Sequence, residues 1–482
     1  MGVEKNIVAI ELGSSAVRAM IGQKKPDGSL CITGYEKESA PDSIHKGVVY
    51  NIDKTVQAIA AVIKRIEERQ KVYVNKVYIG VTGQSLRTVG NTIKRQLDVK
   101  VAINEEIMDA LKDENRMQPY ANAEILDFVA QEYRVGSHLT MDPVGVMADH
   151  IEGYYKNIIA RKTLCDNLRR CLEGAKLEPF DFFISPLLLS GYLLTDPEKR
   201  SGCALVDFGA ETTTVIIYEK NILRHLVVLP LGGNTITADI ASIFHIEHEE
   251  AELLKRTHGS AYTEETEVAE PQTLNISNDR QIDKKRLLNI IEARQQEILN
   301  NVWEQIKNYS DRLLSGVIFT GGASNMRQLE TAFVKYHHFD KVKTRLMPTV
   351  TEYTTSLRLD PQTNTLATLV AMLRRGDEEC TSERPIEPEL FDTTKEEPAI
   401  PTSTTKEEGV VMQPLQGQPE EPSAPSASTT AAPSASAAAV PSASAEVEPS
   451  EEKKEKKEKG PGVFQRMGKW IKDRASELVE ER

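Results

Sequence analysis

The chain has 482 residues but only five cysteines, Cys31, Cys165, Cys171, Cys203 and Cys380. They are scattered and odd in number, with no CxxC pair and no Cys/His cluster. That argues against structural zinc and a disulfide framework, and for a reducing compartment. No uncharged apolar run reaches the ~18 residues that a spanning helix needs. The N-terminal stretch has no basic start followed by an apolar core, so no secretory signal is expected. Met1-Gly2 opens like a myristoylation signal, yet Asn6 stands where Ser or Thr is wanted. The formal net charge is -13 and no basic stripe dominates, which argues against a general nucleic-acid binder. A local Ser-His-Asp signature is missing too. His225, His245, His248, His258, His337 and His338 show no catalytic ligand spacing, and Cys165 and Cys171 read as packing residues. These absences leave a cytosolic protein, unless something other than a spanning helix holds it to a membrane.

What is present begins with 40% apolar residues, enough for a large core and more than one domain. The most informative stretch is Ser201 to Tyr218. An apolar run, Cys203 to Val206, stops at Asp207; Gly209 permits a tight turn, Thr212 and Thr213 follow, and Val215 to Ile217 leads away as a second strand. Ile7 to Gly22 repeats that order, with Glu11 as the carboxylate, Gly13 as the turn and Ser14-Ser15 as the hydroxyls. Two such hairpins suggest a duplicated architecture holding one ligand between its halves.

Read in order, the first half is strand, strand, strand, a helix capped by Asp53, and a strand from Val72 to Thr82. Residues 84–162 change texture to long strands around one amphipathic helix, Asn104 to Met117, and read as a small α+β module inserted into the first domain. Helices at Thr163 to Ala175 and after Pro186 follow. The second half opens at Gly202 and carries Gly232-Gly233 before a helix from Ile236 to Phe244. A long helix spans Lys284 to Arg312, and the strand Val317 to Thr320 runs into Gly321-Gly322, with a helix from Met326. The last helix of the body is Leu366 to Arg374. From Asp377 the sequence turns acidic and then rich in Pro, Ser and Ala, a composition that cannot bury enough surface to fold. A tether of about 80 residues spans on the order of 50 Å root-mean-square.

Each turn taken singly is a β-turn; their order and strand contexts carry the chemistry. Backbone amides at Gly13-Ser14-Ser15 and Gly209-Ala210-Glu211 can cradle anionic oxygens, with Ser14, Ser15, Thr212 and Thr213 as added donors. Glu11 and Asp207 at the mouth of an anion site make sense only if a cation intervenes, and a hydrated Mg²⁺ bridging phosphates fits. Gly322-Ala323-Ser324 allows close approach by a flat ring such as adenine.

Ile-Glu-Leu-Gly-Ser-Ser, Val-Asp-Phe-Gly-Ala-Glu-Thr-Thr, Leu-Gly-Gly-Asn-Thr-Ile-Thr and Phe-Thr-Gly-Gly-Ala-Ser resemble the phosphate and adenosine motifs of actin-type ATPases. Within that superfamily the chain resembles the FtsA family of bacterial cell-division proteins, over residues 5–376 and the final segment. The inserted module, Arg224-His225 before Pro230 to Asn234, the helix leading to His258-Gly259 and the long tether favour that family over actin, MreB and DnaK-type chaperones. The resemblance implies an actin-like two-domain α/β fold. Residues 1–83, 163–200 and 345–376 would form the first domain, 84–162 the subdomain, and 201–344 the second domain, with about 235–293 its outer part. It further implies bound ATP and Mg²⁺. Glu11 and Asp207 would position Mg²⁺, while Gly13, Ser14, Ser15, Gly209 and Thr212 hold phosphates. Gly232, Gly233, Glu252, Lys255, Gly321, Gly322 and Ala323 would line the ribose and adenine side. Self-association into filaments, capture of the C-terminal tail of the tubulin-like protein FtsZ, and contact with other division proteins are implied likewise. Two departures stand out. Glu211 brings negative charge toward the γ-phosphate, and Pro186 stands where brisk hydrolases of the superfamily carry Gln or Glu. Both favour binding over rapid hydrolysis.

The end of the chain has its own physics. After the linker 377–459, the segment 460–482 places Phe464, Met467, Ile471, Ala475 and Leu478 at spacings of three and four, widened by Trp470, with Arg466, Lys469 and Lys472 on the other side. Aromatic and basic faces of this kind describe a helix lying in a bilayer interface. Each basic residue contributes about 1 kcal/mol near anionic lipids, and each large buried apolar side chain up to ~1.5–3 kcal/mol. The segment implies a peripheral protein at the cytoplasmic face of the inner membrane, and the family resemblance places it at the septum. Rival readings are a sugar or acetate kinase of the same superfamily, and another actin-like protein such as a pilus-assembly factor.

Overall fold

A computed structural model of the chain describes residues 4–40, 42–264, 272–276, 280–340, 343–359 and 364–382. The terminal segment read as membrane-seeking (Phe464, Arg466, Met467, Lys469, Trp470, Ile471, Lys472, Leu478) lies outside the described residues, as does most of the tether.

The first half opens with three antiparallel strands, β1 (Lys5–Leu12), β2 (Ala16–Lys24) and β3 (Leu30–Ser39). Ile7 to Ile10 are fully buried, because β1 is a central strand with apolar layers on both faces. A two-strand hairpin, β4 (Ile44–His45) and β5 (Val48–Val49), precedes helix α1 (Ile52–Gln70). The cap of α1 is Asn51 rather than Asp53: its extended backbone lets the side chain accept from the Lys54 amide at 3.0 Å, and Asp53 falls inside the first turn. After β6 (Tyr73–Val74), β7 (Lys76–Val81) pairs in parallel with β1 on the side opposite β2.

The module follows as β8 (Arg87–Ala102), α2 (Glu105–Arg116), β9 (Ala123–Val135), β10 (His138–Thr140) and β11 (Met147–Arg161). Its core is its own, built on Ile93, Leu111, Ile151 and Tyr155. A partly buried chain of side-chain hydrogen bonds, Asn91 to Asn115 to Asn157 to the Tyr120 hydroxyl, ties α2 to the sheet. The chain then returns through α3 (Lys162–Gly174), β12 (Glu178–Ile184), α4 (Ser185–Leu193) and the short α5 (Asp196–Ser201).

The second half repeats the first. β13 (Cys203–Phe208), β14 (Thr213–Glu219) and β15 (Ile222–Leu229) form the same antiparallel meander. Helices α6 (Gly233–Phe244) and α7 (His248–His258), the hairpin β16 (Thr273–Ile276) and β17 (Arg280–Asp283), and α8 (Lys284–Ile306) lead to β18 (Val317–Thr320). β18 pairs in parallel with β13 as β7 does with β1. α9 (Leu329–His337) and β19 (Thr344–Leu346) complete this half, before β20 (Thr354–Thr355) and α10 (Ala367–Arg375) return to the first sheet. Among the described residues the first sheet has the order β12-β7-β1-β2-β3-β20, and the second β10-β9-β11-β8-β15-β14-β13-β18-β19. The module interrupts the first half in sequence, yet in space it extends the second half's sheet: Arg87 pairs with Val227, and the Val228 amide donates to Leu86 at 3.1 Å.

Order does not stop at Gly376. Residues 377–382 cross the N-terminal end of β1 and close as β21 (Thr381–Ser382) on β6. Their acidic composition reads as tether, but their partners are supplied by the fold. The Cys380 amide donates to Asn6 O at 2.9 Å, the Asn6 amide donates to Glu379 Oε2 at 2.9 Å, and the Asp377 and Glu378 amides share the Tyr78 hydroxyl. Cys380 is fully buried. A chain ending after Gly376 is therefore expected to unfold at lower urea concentration than one ending after Ser382. The loss should be about 1 kcal/mol for each of these hydrogen bonds, read from equilibrium denaturation of the two truncations.

Candidate functional site

The two hairpin turns face each other. In the first, Gly13 and Ala16 exchange backbone hydrogen bonds of 3.1 and 3.2 Å; in the second, the Gly209 amide donates to Thr212 O at 2.8 Å. Between them lies a cavity of about 740 Å³ lined from both halves. Glu11, Gly13, Ser14, Ser15, Asp207, Gly209, Thr212, Gly233, Glu252, Lys255, Gly321, Gly322 and Ala323 all line it. Gly232 does not. It is the cap of α6, pressed so closely on the second turn that a Cβ there would lie 2.6 Å from Ala210 O.

Glu11 and Asp207 are the penultimate residues of β1 and β13, one from each half. Burial pushes the Glu11 carboxyl upward, partly offset by Arg18 and a hydrogen bond from Thr368. Arg18 Nη1 stands 3.4 Å from Glu11 Oε2, and its Nη2 donates to Ser15 Oγ at 3.1 Å. Asp207 is pushed up to about 7, by burial first and by the Glu11 charge second. Its carboxylate has no hydrogen-bond partner among the described residues, and Gly321, at φ 91°, packs so close that a Cβ would sit 2.2 Å from Asp207 Oδ1. Ser185 Oγ, also on the cavity wall, is buried without a hydrogen-bond partner among the described residues. Two half-buried carboxylates beside an unsatisfied hydroxyl suit a hard cation with oxygen ligands, so these residues fit Mg²⁺.

The opposite wall comes from α6 and α7. α6 starts at Gly233, earlier than the Ile236 expected from apolar periodicity, because the second turn supplies its first partners. The Gly233 amide donates to Gly209 O at 3.0 Å and the Asn234 amide to Ala210 O at 2.6 Å. Lys255 is buried, which pushes its pKa down. Its Nζ donates to Gly233 O at 3.0 Å and Thr237 Oγ1 at 2.8 Å and pairs with Glu252 Oε2 at 2.5 Å. After β18, Gly322–Asn325 forms a single 3₁₀ turn, which delays the helix expected at Met326 to Leu329 and leaves Gly322 and Ala323 flat against the cavity.

Several lining residues escape a reading of the sequence. Arg18, Tyr35 and Lys37 come from β2 and β3, Arg256 and Arg327 from the second half, and Thr365 and Thr368 from the α10 region. Arg18 leaves a signal, being the one charge between Ala16 and Gly22. Thr365 and Thr368 leave none, since only the fold brings Thr368 to Glu11 and Thr365 to Gly322. Pro186 lies on the wall at the start of α4 and offers no proton acceptor. Glu211 turns across the cleft: its Oε2 accepts from the Lys46 amide at 2.6 Å.

The carboxyl of Asp207 yields a pH prediction. With its folded value raised to about 7 from 3.8, its contribution to stability is present below about pH 4 and is lost as pH rises through about 7. Asp207→Asn should then raise the thermal midpoint of the protein at pH 8 and change it little at pH 4, as differential scanning fluorimetry would show. Conversely, Mn²⁺ binding to the natural protein, followed by electron paramagnetic resonance, should strengthen by about tenfold between pH 6 and pH 8 as the carboxyl ionises.

The family described as "Cell division protein FtsA" matches residues 204–368, and the family described as "Type IV pilus assembly protein PilM" matches residues 9–285. Cell division protein FtsA of Pseudomonas aeruginosa is 27% identical over 331 residues, covering 67% of this chain and 78% of that protein. FtsA of Enterococcus faecalis is 29% identical over 327 residues, 66% of this chain and 74% of its own. FtsA of Bacillus subtilis is 28% identical over 326 residues, 66% and 74%. Among solved structures, the PilM-PilN type IV pilus biogenesis complex aligns with a TM-score of 0.55 at 16% identity, over 77% of this chain and 98% of that one; that likeness speaks for the fold. With the repeated meander and the cleft between its halves, the chain belongs to the actin-like ATPase superfamily that includes PilM, and within it to the FtsA-type cell-division proteins.

Proposed function

We propose that this protein binds Mg·ATP in the cleft between its halves, assembles at the division septum and ties the FtsZ ring to the cytoplasmic membrane. The observation that carries the nucleotide reading is the pair of half-buried carboxylates, Glu11 and Asp207, beside two turns of backbone amides and hydroxyls. Gly13, Ser14, Ser15, Gly209 and Thr212 would bind phosphate oxygens, and Glu11 and Asp207 would hold the hydrated cation that neutralises them. Gly233, Glu252, Lys255 and the flat turn at Gly321-Gly322-Ala323 would take the nucleoside, Lys255 orienting the α6 terminus through Gly233. Bound Mg²⁺ would supply charge neutralisation of the phosphates. Pro186 on the wall favours retention of ATP over rapid turnover, so that the nucleotide acts mainly in assembly.

The membrane part of the proposal rests on the amphipathic pattern of residues 460–482, together with the fact that no described helix is long and apolar enough to cross a bilayer. The outer part of the second half, residues 235–293, would receive the FtsZ tail, and the inserted module would meet a neighbouring copy or another division protein. The match to the PilM family favours a second reading, an actin-like pilus-assembly protein. Co-sedimentation with a peptide of the FtsZ C-terminus separates the two: binding supports the division reading, and no binding at tens of micromolar removes it.

Asp207→Ala should abolish binding of a fluorescent ATP analogue in the presence of Mg²⁺; an unchanged dissociation constant would displace the nucleotide from this cleft. Deleting residues 460–482 should leave the protein in the supernatant of liposomes containing anionic lipid, while the full chain pellets. Equal partitioning of the two would defeat the anchor.

A further inference from the structure

One contact reaches the second phosphate turn from a hairpin that belongs to neither phosphate motif. The hairpin β4–β5 has Lys46 and Gly47 at its tip, both left-handed, with φ of 52° and 73°, the conformation of a tight two-residue turn. The tip is held firmly. Gln84 N donates to Lys46 O at 3.1 Å, and a Cβ on Gly47 would meet Gly83 Cα at 2.9 Å. Its two consecutive amides serve the two phosphate turns separately: Gly47 N donates to Ser14 Oγ at 2.9 Å, and Lys46 N donates to Glu211 Oε2 at 2.6 Å. The other Glu211 oxygen lies 3.9 Å from His45 Nδ1. A side-chain carboxylate from the second half thus rests on a backbone donor of the first.

An amide that grips a carboxylate at 2.6 Å suits any anionic oxygen, since charge-assisted bonds of this kind are short and strong and do not depend on whether carbon or phosphorus carries the oxygen. Ser14, Gly47 and Glu211 line the cleft together. A phosphate chain anchored on the two turns would therefore bring its outermost group to this corner, where the Glu211 carboxylate already stands. Two anions cannot share one amide at contact distance without mutual repulsion.

Resting on the nucleotide reading of the cleft, we propose that the Lys46 amide is the seat of the terminal phosphate of a nucleoside triphosphate. Glu211 competes for that seat and so sets the discrimination between triphosphate and diphosphate. A diphosphate ends short of the corner and leaves the Glu211–Lys46 bond intact; a triphosphate must displace the carboxylate. Glu211 acts here as a specificity-determining residue and takes no part in bond breaking.

The test titrates the full-length protein, Glu211→Gln and Glu211→Ala with Mg-ADP and with a non-hydrolysable Mg-ATP analogue by isothermal calorimetry. Both variants should bind the triphosphate about tenfold more tightly than the natural protein and the diphosphate within about twofold. Equal shifts for both nucleotides, or none, overturn the proposal and make the contact a simple clasp between halves. If the natural protein binds neither nucleotide, the nucleotide reading itself falls, and the proposal with it. A second measurement is independent of affinity. In Glu211→Ala, hydrogen exchange at the Lys46 amide should be fast with no nucleotide and with Mg-ADP, and slow with the triphosphate analogue. Protection by both nucleotides alike, or by neither, would place the terminal phosphate elsewhere.

Discussion

The arrangement depends on a repulsion. Glu11 and Asp207 are half-buried carboxylates from different halves, and the Glu11 charge adds to desolvation in raising the pKa of Asp207. A desolvated like-charge pair is costly unless a counter-charge is close, and the surroundings are built around that problem. Arg18 leans on Glu11 from the neighbouring strand, Thr368 hydrogen-bonds it from α10, and Gly321 gives up its side chain so that Asp207 can stand against the backbone. Because the two acids are carried by corresponding strands of a repeated meander, the separation of the halves and the electrostatics of the cleft are one variable. Any cation that settles between the carboxylates draws on both halves at once.

From the cleft, two rigid connections lead outward. α10 packs on β1 and β2, with Thr365 and Thr368 on the cavity wall near one end and the strap of residues 377–382 continuing from the other. The root of the tether is therefore fastened to the strand that carries Glu11, through the bond between Asn6 and Cys380. The second connection is the pairing of β8 with β15, which welds the module to the sheet that carries Asp207. The tether thus leaves from one half and the module rides on the other. A change in the angle between the halves would alter the position of the module relative to the tether root, with neither part deforming internally.

Much of this was legible beforehand, for physical reasons that differ by element. The two hairpins are local: strand, carboxylate and glycine follow one another within a dozen residues, and a glycine turn between apolar runs has few alternatives. The cleft residues that sit on those hairpins could be named for that reason. Gly232 was a plausible member whose backbone packing on Ala210, a contact between distant segments, keeps it out of the wall. Asn51 against Asp53 is a choice between adjacent capping residues that composition cannot settle, since both can accept the amide bond. The strap is a sharper case. Asp377 to Glu379 read as a solvated acidic run, but Lys24, the Asn6 amide and the Tyr78 hydroxyl lie where those groups need partners. Long-range pairing of this sort leaves no periodicity in the sequence, and the same holds for the module's attachment to β15.

Arg18 and Glu211 are opposite versions of one device. Arg18 brings a positive charge to the acid that would hold a cation, and Glu211 brings a negative charge to an amide that would hold an anion. A ligand entering the cleft exchanges these contacts for its own, so its affinity reflects the difference between the two sets and not the number of new contacts. A cation alone can relieve only the Glu11 side, and a short phosphate chain leaves the Lys46 side as it was. Only a ligand that brings both a cation and a third phosphate replaces both internal partners at once. The selectivity of such a site would then lie in what the protein already holds in place, and a residue with no contact to the nucleoside, Glu211, would decide which nucleotide the two halves close upon.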